Sequence, residues 1–300
     1  MKRFTLLAIF VAMVLSISAQ YKMHVWENGA KISFIVSSVD SVTFENYLDD
    51  SEGSGEDKTP VNGVFSVSAD KQVTFSPGNL QYHPANKKWR FAERQTDYIG
   101  EANSNISSTY NGWLDLFGWS TSATNFGVST STNYNDYSGS FVDWGTNKIG
   151  TDAPNTWRTL TYDEWNYLCL CRPNYSNLCG VAQVNGVNGL VFLPDNWTCP
   201  VGVTFKSGFH SGYGVDYYAA YQTFTADQWS KLEAAGAVFL PAAGYRYGSN
   251  VFDVQDYGYC WSATEGNGNL ASCLLFISDA ADMDYGSRYY GRSVRLVKDL

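Results

Sequence analysis

The residues that could carry out chemistry in this 300-residue chain are few and widely spaced. Its three histidines, His24, His83 and His210, have no recurring partner, and the sequence holds no Gly-x-Ser-x-Gly turn, His-Glu-x-x-His helix or phosphate-binding loop. His210 and Ser211 are neighbours, but a nucleophile and its base must converge in space, which adjacent residues rarely do. No catalytic residue is therefore predicted, and we expect a protein that is not an enzyme.

Residue types suited to recognition are concentrated between Tyr245 and Arg295. There, apolar strand-like pieces alternate with runs of Tyr, Asn, Asp, Gly, Ser and Arg. Tyr gives a large amphipathic contact area at low entropic cost, while Ser, Gly and Asn adapt their hydrogen bonds. We predict that these runs bind a glycan or an extracellular host protein. The candidate ligand-binding residues are Tyr245, Tyr247, Asn250, Asp256, Tyr257, Glu265, Asn267, Asn269, Asp282, Asp284, Tyr285, Arg288, Tyr289 and Tyr290.

Metal binding has weak support in the sequence. Calcium takes several oxygen ligands at close spacing, so the run from Asp279 to Asp284 is the one calcium candidate, with scattered surface acids as the alternative. Zinc is not expected, because no Cys-x-x-Cys or His-flanked cysteine pair occurs. No cofactor is predicted.

Six cysteines, an even number, permit disulfides in an exported chain. Cys260 and Cys273 lie in successive strand-like segments and are the first candidate pair. Cys169 and Cys171 fall in a predicted helix, where residues two apart point to different faces and do not bond each other. Buried free thiols are an equally weighted alternative for the cysteines.

The N-terminus has the organisation of a secretory signal peptide. Lys2 and Arg3 precede an apolar stretch from Phe4 to Ile17, and small residues end at Ala19. We predict that residues 1–19 are removed and that the protein is exported. Its expected location is the medium, the periplasm or the outer cell surface. Without these two basic residues the net charge is 18 − 29 = −11, which argues against nucleic acid. No later apolar run is long enough to insert into a membrane.

After the signal peptide, composition divides the chain into three parts. Residues 20–46 are predicted to form a small β module, with a hairpin turning at Asn28-Gly29 and a third strand over residues 39–44. Residues 47–61, rich in acids, Gly and Ser, read as a linker. Residues 62–300 are long enough for one substantial domain. Within it, residues 101–150 are expected to be ordered loops anchored by aromatic side chains.

Two similar helix-to-strand units are predicted in this domain. Thr161 and Thr225 are each followed three residues later by Glu164 or Gln228, the spacing of a capping box that begins a helix. Each helix is followed by a similar apolar strand ending in Leu-Pro. We therefore expect the two units to pack around a common sheet.

Three segments carry a resemblance to a known family. Residues 157–165, 259–264 and 291–299 look like motifs of the Fibrobacter succinogenes major paralogous domain family of secreted Bacteroidota proteins, and residues 63–82 and 238–246 resemble one branch of it. The resemblance covers about residues 63–300. It implies an α+β, C-type-lectin-like domain with two helices and a twisted antiparallel sheet, related to formylglycine-generating enzymes. It would place the loops of residues 245–295 on one exposed face.

The sequence departs from the active members of such folds. Cys260 and Cys273 do not match the copper-binding cysteine pair of formylglycine-generating enzymes, and the calcium motifs of sugar-binding lectins are absent. The resemblance therefore implies an adhesin-like protein or a cell-surface accessory. A degenerate enzyme of the formylglycine-generating type and a structural subunit of a fimbria or surface layer stay as alternatives.

Overall fold

The computed structural model describes residues 63–119 and 128–300, together with the backbone of two N-terminal strands. Contacts divide the chain into two compact units, Met1–Ser54 and Gly55–Leu300. In the first, β1 (Lys22–Glu27) pairs antiparallel with β2 (Ala30–Ile35), and Glu27 lies opposite Ala30. The predicted hairpin is therefore confirmed. The signal peptide, the third strand and the linker lie outside the described residues.

The second unit is a mixed α+β structure in which strands predominate, as predicted. Its helices are α1 (Tyr162–Asn166), α2 (Val215–Tyr221) and α3 (Ala226–Ala234). Its strands are β3 (Phe65–Ser66), β4 (Gln72–Phe75), β5 (Leu80–His83), β6 (Lys88–Phe91), β7 (Arg158–Thr159), β8 (Cys179–Val184), β9 (Val187–Phe192), β10 (Thr223–Phe224), β11 (Val238–Pro241), β12 (Tyr245–Tyr247), β13 (Asn250–Phe252), β14 (Gly258–Glu265), β15 (Leu270–Ile277), β16 (Ala280–Ser287) and β17 (Leu296–Asp299).

The strands of this unit are divided among several small sheets rather than gathered in one. The larger ones have the orders β10-β8-β9-β11, β3-β4-β17-β7 and β14-β15-β16, and β5-β6 and β12-β13 are two-stranded ladders. Among the strands described, neighbours pair antiparallel except β10 with β8. The C-terminal strand β17 pairs with both β4 and β7. The last strand of the second unit therefore lies in the same sheet as its first two strands.

Both predicted capping boxes are present. The Thr161 hydroxyl accepts a hydrogen bond from the Glu164 N–H, and the Glu164 carboxylate accepts one from the Thr161 N–H, which satisfies free amides of the first turn of α1. Thr225 and Gln228 do the same at α3. The strands that follow, β9 and β11, pair with each other, with Leu190 opposite Leu240. The two helix-to-strand segments therefore contribute to one sheet, as predicted.

Two local features differ from the sequence prediction. A third helix, α2, was not predicted; it follows Gly214, whose φ of 127° is a backbone conformation that favours glycine. The helix predicted through Cys171 does not stay α-helical. Beyond α1 the chain forms a π-helical turn over Tyr167–Cys171, closed by the Arg172 N–H bonding to the Tyr167 carbonyl.

Buried groups anchor the described parts of the loop region between β6 and β7, residues 92–119 and 128–157. Trp119 and Trp144 are 0% and 1% exposed, so the expected aromatic anchors are in the core, while Trp113 is half-buried. Asn103 ties the loop together: its amide donates to the Asp115 carboxylate, and its carbonyl oxygen accepts from the Asp115 N–H. Burial raises the pKa of Asp115 to about 6, against the lowering effect of these hydrogen bonds.

The sheet β14-β15-β16 separates two cores. Cys260, Leu274 and Phe276 face the core that contains α1, whereas Trp261 and Cys273 face the core of the loop region. Buried apolar side chains fill both cores, so the sheet is packed on both sides. None of the helices described is long and apolar enough to cross a membrane.

The predicted Cys260–Cys273 disulfide is wrong. Cys273 lies opposite Trp261 in the β14–β15 ladder, and Cys260 lies opposite Leu274. Because neighbouring residues of a strand point to opposite faces, the two thiols are on different sides of the sheet and cannot meet. Both are buried free thiols, which was the alternative prediction.

Candidate functional site

A cluster of aromatic rings covers one end of the second unit. The rings form a continuous chain of contacts whose centroids lie 5.0 to 6.1 Å apart, in edge-to-face, tilted and stacked arrangements that suit the ring quadrupoles. We call this set the tyrosine cluster; its members are Tyr134, Tyr245, Tyr247, Phe252, Tyr257, Tyr259, Tyr289 and Tyr290.

The hairpin β12–β13 presents the exposed part of the cluster. Tyr247 is opposite Asn250, and Tyr245 is opposite Phe252. Residues paired across an antiparallel ladder point to the same side, so these four side chains share one face of the hairpin. Tyr247 and Phe252 are 42% and 41% exposed, and Asn250 is exposed beside them. The face therefore offers flat apolar rings next to an amide that can donate and accept hydrogen bonds.

The other face of this hairpin is buried through an arginine. Arg246 is 0% exposed, pairs by backbone with Gly291 and donates from Nη1 to the Gly248 carbonyl at 2.5 Å. A Cβ on Gly291 would lie 2.9 Å from the Cβ of Arg246, so glycine is needed for this approach. Burial lowers the pKa of Arg246 to about 10, which still leaves it charged at neutral pH.

A second buried arginine supports the rings from beneath. The guanidinium carbon of Arg292 lies 4.4 Å from the centre of the Tyr259 ring and 4.7 Å from that of Trp261, and Nη1 donates to the Cys273 thiol at 2.6 Å. These are cation–π contacts in a desolvated setting, where they contribute most. A Cβ on Gly286 would lie 2.3 Å from Nη2 of Arg292, so the strand β16 needs glycine here.

The pKa values of three tyrosines of the cluster, Tyr134, Tyr245 and Tyr259, are raised. Burial raises the pKa of Tyr259, against a lowering effect of Arg292. Burial and then the Asp253 carboxylate raise the pKa of Tyr245. The hydrogen bond with Tyr289 raises the pKa of Tyr134. These rings therefore act as neutral hydrogen-bonding and stacking groups, and none is prepared to act as a base.

Not all the predicted tyrosines are surface groups. Tyr289 is only 9% exposed and packs between Tyr134 and Tyr247, and Tyr290 is half-buried. Their rings support the exposed ones. Tyr257 is also half-buried and stacks on Tyr259.

Arg288 is a structural residue, so its assignment as a ligand-binding group is corrected. It is 3% exposed and its guanidinium is fully engaged: Nε donates to the Leu270 carbonyl, Nη1 to that of Tyr137, and Nη2 to the Glu265 carboxylate. The guanidinium carbon also lies 4.5 Å from the Trp119 ring centre. A side chain with these partners cannot turn outward without leaving the buried Tyr137 carbonyl without this donor.

The other predicted residues fall into separate places. Asn267 and Asn269 are exposed in the β14–β15 turn near Glu265, while Tyr285 stacks on Tyr162 of α1 at 5.9 Å. Asp282 and Asp284 alternate with Tyr285 along β16, so they lie on the opposite face of the sheet. The strand pleat thus prevents the predicted set from forming one continuous surface.

Asp256 is half-buried beside the cluster. Its backbone carbonyl accepts a hydrogen bond from the Tyr218 hydroxyl at 2.8 Å, while burial and Asp253 raise the pKa of its carboxyl group. In the calcium candidate, Asp279 lies in the β15–β16 turn. Within residues 63–119 and 128–300, no three carboxylate, imidazole or thiol side chains gather in a way that could hold a metal ion.

Five supporting residues were not anticipated: Tyr134, Phe252, Tyr259, Arg246 and Arg292. Tyr134 comes from a short 3-10 turn, Tyr134–Tyr137, more than a hundred residues before its partner Tyr289, so no local pattern relates them. A signal for the arginines was present: each stands next to a tyrosine or glycine in the segments Tyr-Arg-Tyr and Tyr-Tyr-Gly-Arg.

Comparisons with protein families, with curated proteins and with solved structures find no match to this chain.

Proposed function

We propose that the protein is a non-enzymatic binding protein that recognises a glycan or an extracellular protein through the exposed face of the tyrosine cluster. The observation that carries the proposal is the face of β12–β13, where the Tyr247 and Phe252 rings lie exposed beside Asn250. Exposed rings can stack on the apolar face of a sugar or fill a pocket of a protein, and the amide adds directed hydrogen bonds.

Rigidity supports the same proposal. The exposed Tyr247 ring packs on Tyr289 and Tyr290, and Arg292 contacts the Tyr290 ring. On the other face of the hairpin, Arg246 is held by its hydrogen bond to the Gly248 carbonyl. A surface that is already ordered loses little conformational entropy when a ligand binds. A neutral aromatic face on a chain with net charge −9 favours a neutral or basic ligand over an acidic one.

An adhesin-like or surface-accessory role rests on export. If residues 1–19 are a signal peptide, the protein recovered from the periplasm or medium begins at Gln20. N-terminal sequencing of the recovered protein tests this, and an intact Met1 would remove the basis for an extracellular ligand.

Membership of the major paralogous domain family and a C-type-lectin-like fold are our proposals for the second unit. The mixed α+β architecture, the two capping-box helices and the loops presented near the C-terminus support them. An enzyme of the formylglycine-generating type has less support, because Cys260 and Cys273 face opposite sides of their sheet.

The test is a ligand screen with matched variants. The purified protein is screened against arrays of neutral and acidic glycans and of extracellular host proteins, and each ligand found is retested with Tyr247→Ala and Asn250→Ala. Tyr175→Ala is the control, since Tyr175 is 40% exposed and lies in the separate turn Tyr175–Asn177. We expect Tyr247→Ala to weaken binding at least tenfold and Tyr175→Ala to leave it unchanged. Equal binding by all three variants would refute the proposed surface.

A further inference from the structure

A pair of buried thiols lies beside a cavity on the far side of the sheet β14-β15-β16 from Arg292. The cavity measures ≈ 170 Å³ and is lined by Cys169 and Cys179 together with Tyr175 and Phe209. Cys169 and Cys179 are 5% and 6% exposed and belong to the same core. The cavity is large enough for several water molecules.

One arginine fixes the backbone on both sides of this pair. Arg172 donates from Nε to the Leu168 carbonyl at 3.0 Å and from Nη2 to the Leu178 carbonyl at 3.1 Å. The two nitrogens belong to one rigid planar fork. The peptide units that lead into Cys169 and Cys179 therefore lie side by side.

The local backbone turns both thiols inward. Cys169 lies in the π-helical turn Tyr167–Cys171 and is buried, while Cys171, two residues on, is exposed. Cys179 begins β8 and is fixed by its carbonyl, which accepts from the Gly208 N–H at 2.8 Å. Both are free thiols, and both line the cavity.

We propose that Cys169 and Cys179 are the disulfide-forming pair of this protein. In the reaction, one thiolate attacks the disulfide bond of an oxidant such as oxidised glutathione, forming a mixed disulfide and releasing one thiol. The second thiolate then displaces the remaining oxidant thiol and forms the Cys169–Cys179 bond. Two protons and two electrons leave the protein, and the oxidant disulfide is reduced to two thiols.

The burial of Cys169 and Cys179 determines when the disulfide between them forms. Burial raises the pKa of Cys179 to about 12 and that of Cys169 well above its usual value. Since the thiolate is the attacking species, the folded protein reacts slowly and the chain reacts fastest while it is folding. The bond, once formed, lies in the core, where a reducing thiolate attacks it slowly.

The test uses the full chain with Cys171→Ser and Cys199→Ser, which removes the two exposed thiols and leaves four buried ones. It is refolded with oxidised glutathione, denatured, alkylated and digested. Chymotrypsin is required, because Pro173 follows Arg172 and blocks trypsin there, whereas cleavage after Tyr175 separates the two cysteines. We expect a mass lower by the two hydrogen atoms, a fall from four alkylated thiols to two, and a peptide with Cys169 joined to Cys179.

Thermal unfolding gives an independent result. A bond closing so short a loop should raise the Tm of the oxidised protein by roughly 5 °C over the reduced one. Cys179→Ala should abolish that difference, and Cys273→Ala, which alters a buried thiol on the other face of the sheet, should keep it. Four free thiols after oxidative refolding, or Cys169 joined to Cys260, would overturn the proposal, and the peptide analysis gives this result without any core variant.

Discussion

Replacing two tyrosines of the same cluster by alanine should have very different effects on stability. Tyr289 is 9% exposed and Tyr247 is 42% exposed, a difference of 42 − 9 = 33% of the residue's surface. For a side chain that buries about 200 Å² when covered, this is about 65 Å², or about 1.6 kcal/mol at 25 cal/mol per Å². A cavity left among the neighbouring rings adds to the cost for Tyr289, whereas water fills the space left by Tyr247.

We therefore expect Tyr289→Ala to cost about 3–4 kcal/mol and Tyr247→Ala about 1.5–2 kcal/mol. For a unit of this size the Tm values should fall by about 10 °C and about 5 °C. Thermal unfolding followed by near-ultraviolet circular dichroism measures both. Tyr175→Ala, at 40% exposure, should match Tyr247→Ala in Tm. Tyr289→Phe keeps the ring and loses only a weak 3.4 Å contact with the Tyr134 hydroxyl, so its Tm should hardly change.

The result that would refute this reasoning is a Tm for Tyr289→Ala as high as that for Tyr175→Ala. It would mean that the Tyr289 ring is not packed and that it belongs to the contact surface, as its sequence context first indicated. A large loss of stability in Tyr289→Phe would instead show that the Tyr289 hydroxyl group, and not the packing of its ring, supplies most of its contribution to stability.

Three further changes have defined outcomes. Burial alone would raise the pKa of Glu164, but hydrogen bonds from Arg158 and neighbouring donors outweigh it and hold the pKa below its usual value. The ionised Glu164 carboxylate therefore stabilises the folded state fully above the unfolded pKa of about 4.3, and this stabilisation is lost as pH falls through the lower folded pKa. When the free energy of unfolding is measured in urea between pH 7 and pH 3, it should fall less in Glu164→Gln than in the native protein. Gly286→Ala places a Cβ 2.3 Å from the Arg292 guanidinium and should lower the Tm by at least 5 °C. The quenching of the aromatic fluorescence should change as well. A Tm equal to that of the native protein would show that the arginine can move aside. Thr225→Ala removes the cap of α3 and should cost about 1 kcal/mol in denaturant unfolding, with Thr225→Ser restoring it; equal stability of the two would contradict the capping role.

Local features of the fold could be predicted from the sequence. Each capping box joins residues three positions apart, and the N-terminal hairpin begins with Glu27 opposite Ala30, also three positions apart, so local sequence is enough to predict them. The likeness of the two helix-to-strand segments predicted a common sheet; that β9 and β11 pair directly within it is a finding of the structure. These predictions did not depend on how distant parts of the chain pack.

Side-chain direction in the C-terminal strands could not be predicted in the same way. Cys260 and Cys273 were rightly placed in neighbouring strands, but a register change of one residue moves a side chain to the other face. The register shifts between Trp261 and Glu265, and no local pattern indicates this irregularity. Composition likewise could not separate exposed Tyr247 from buried Tyr289, because burial depends on Tyr134, which comes from a distant loop.

The buried arginines have a consequence for how this surface can change over generations. Arg288 binds the carbonyls of Tyr137 and Leu270, and Arg246 binds that of Gly248. A carbonyl oxygen is the same in every residue type, so these anchors do not depend on which side chains the loops carry. Mutation at exposed positions can therefore change the side chains on this surface while the scaffold beneath them is inherited intact.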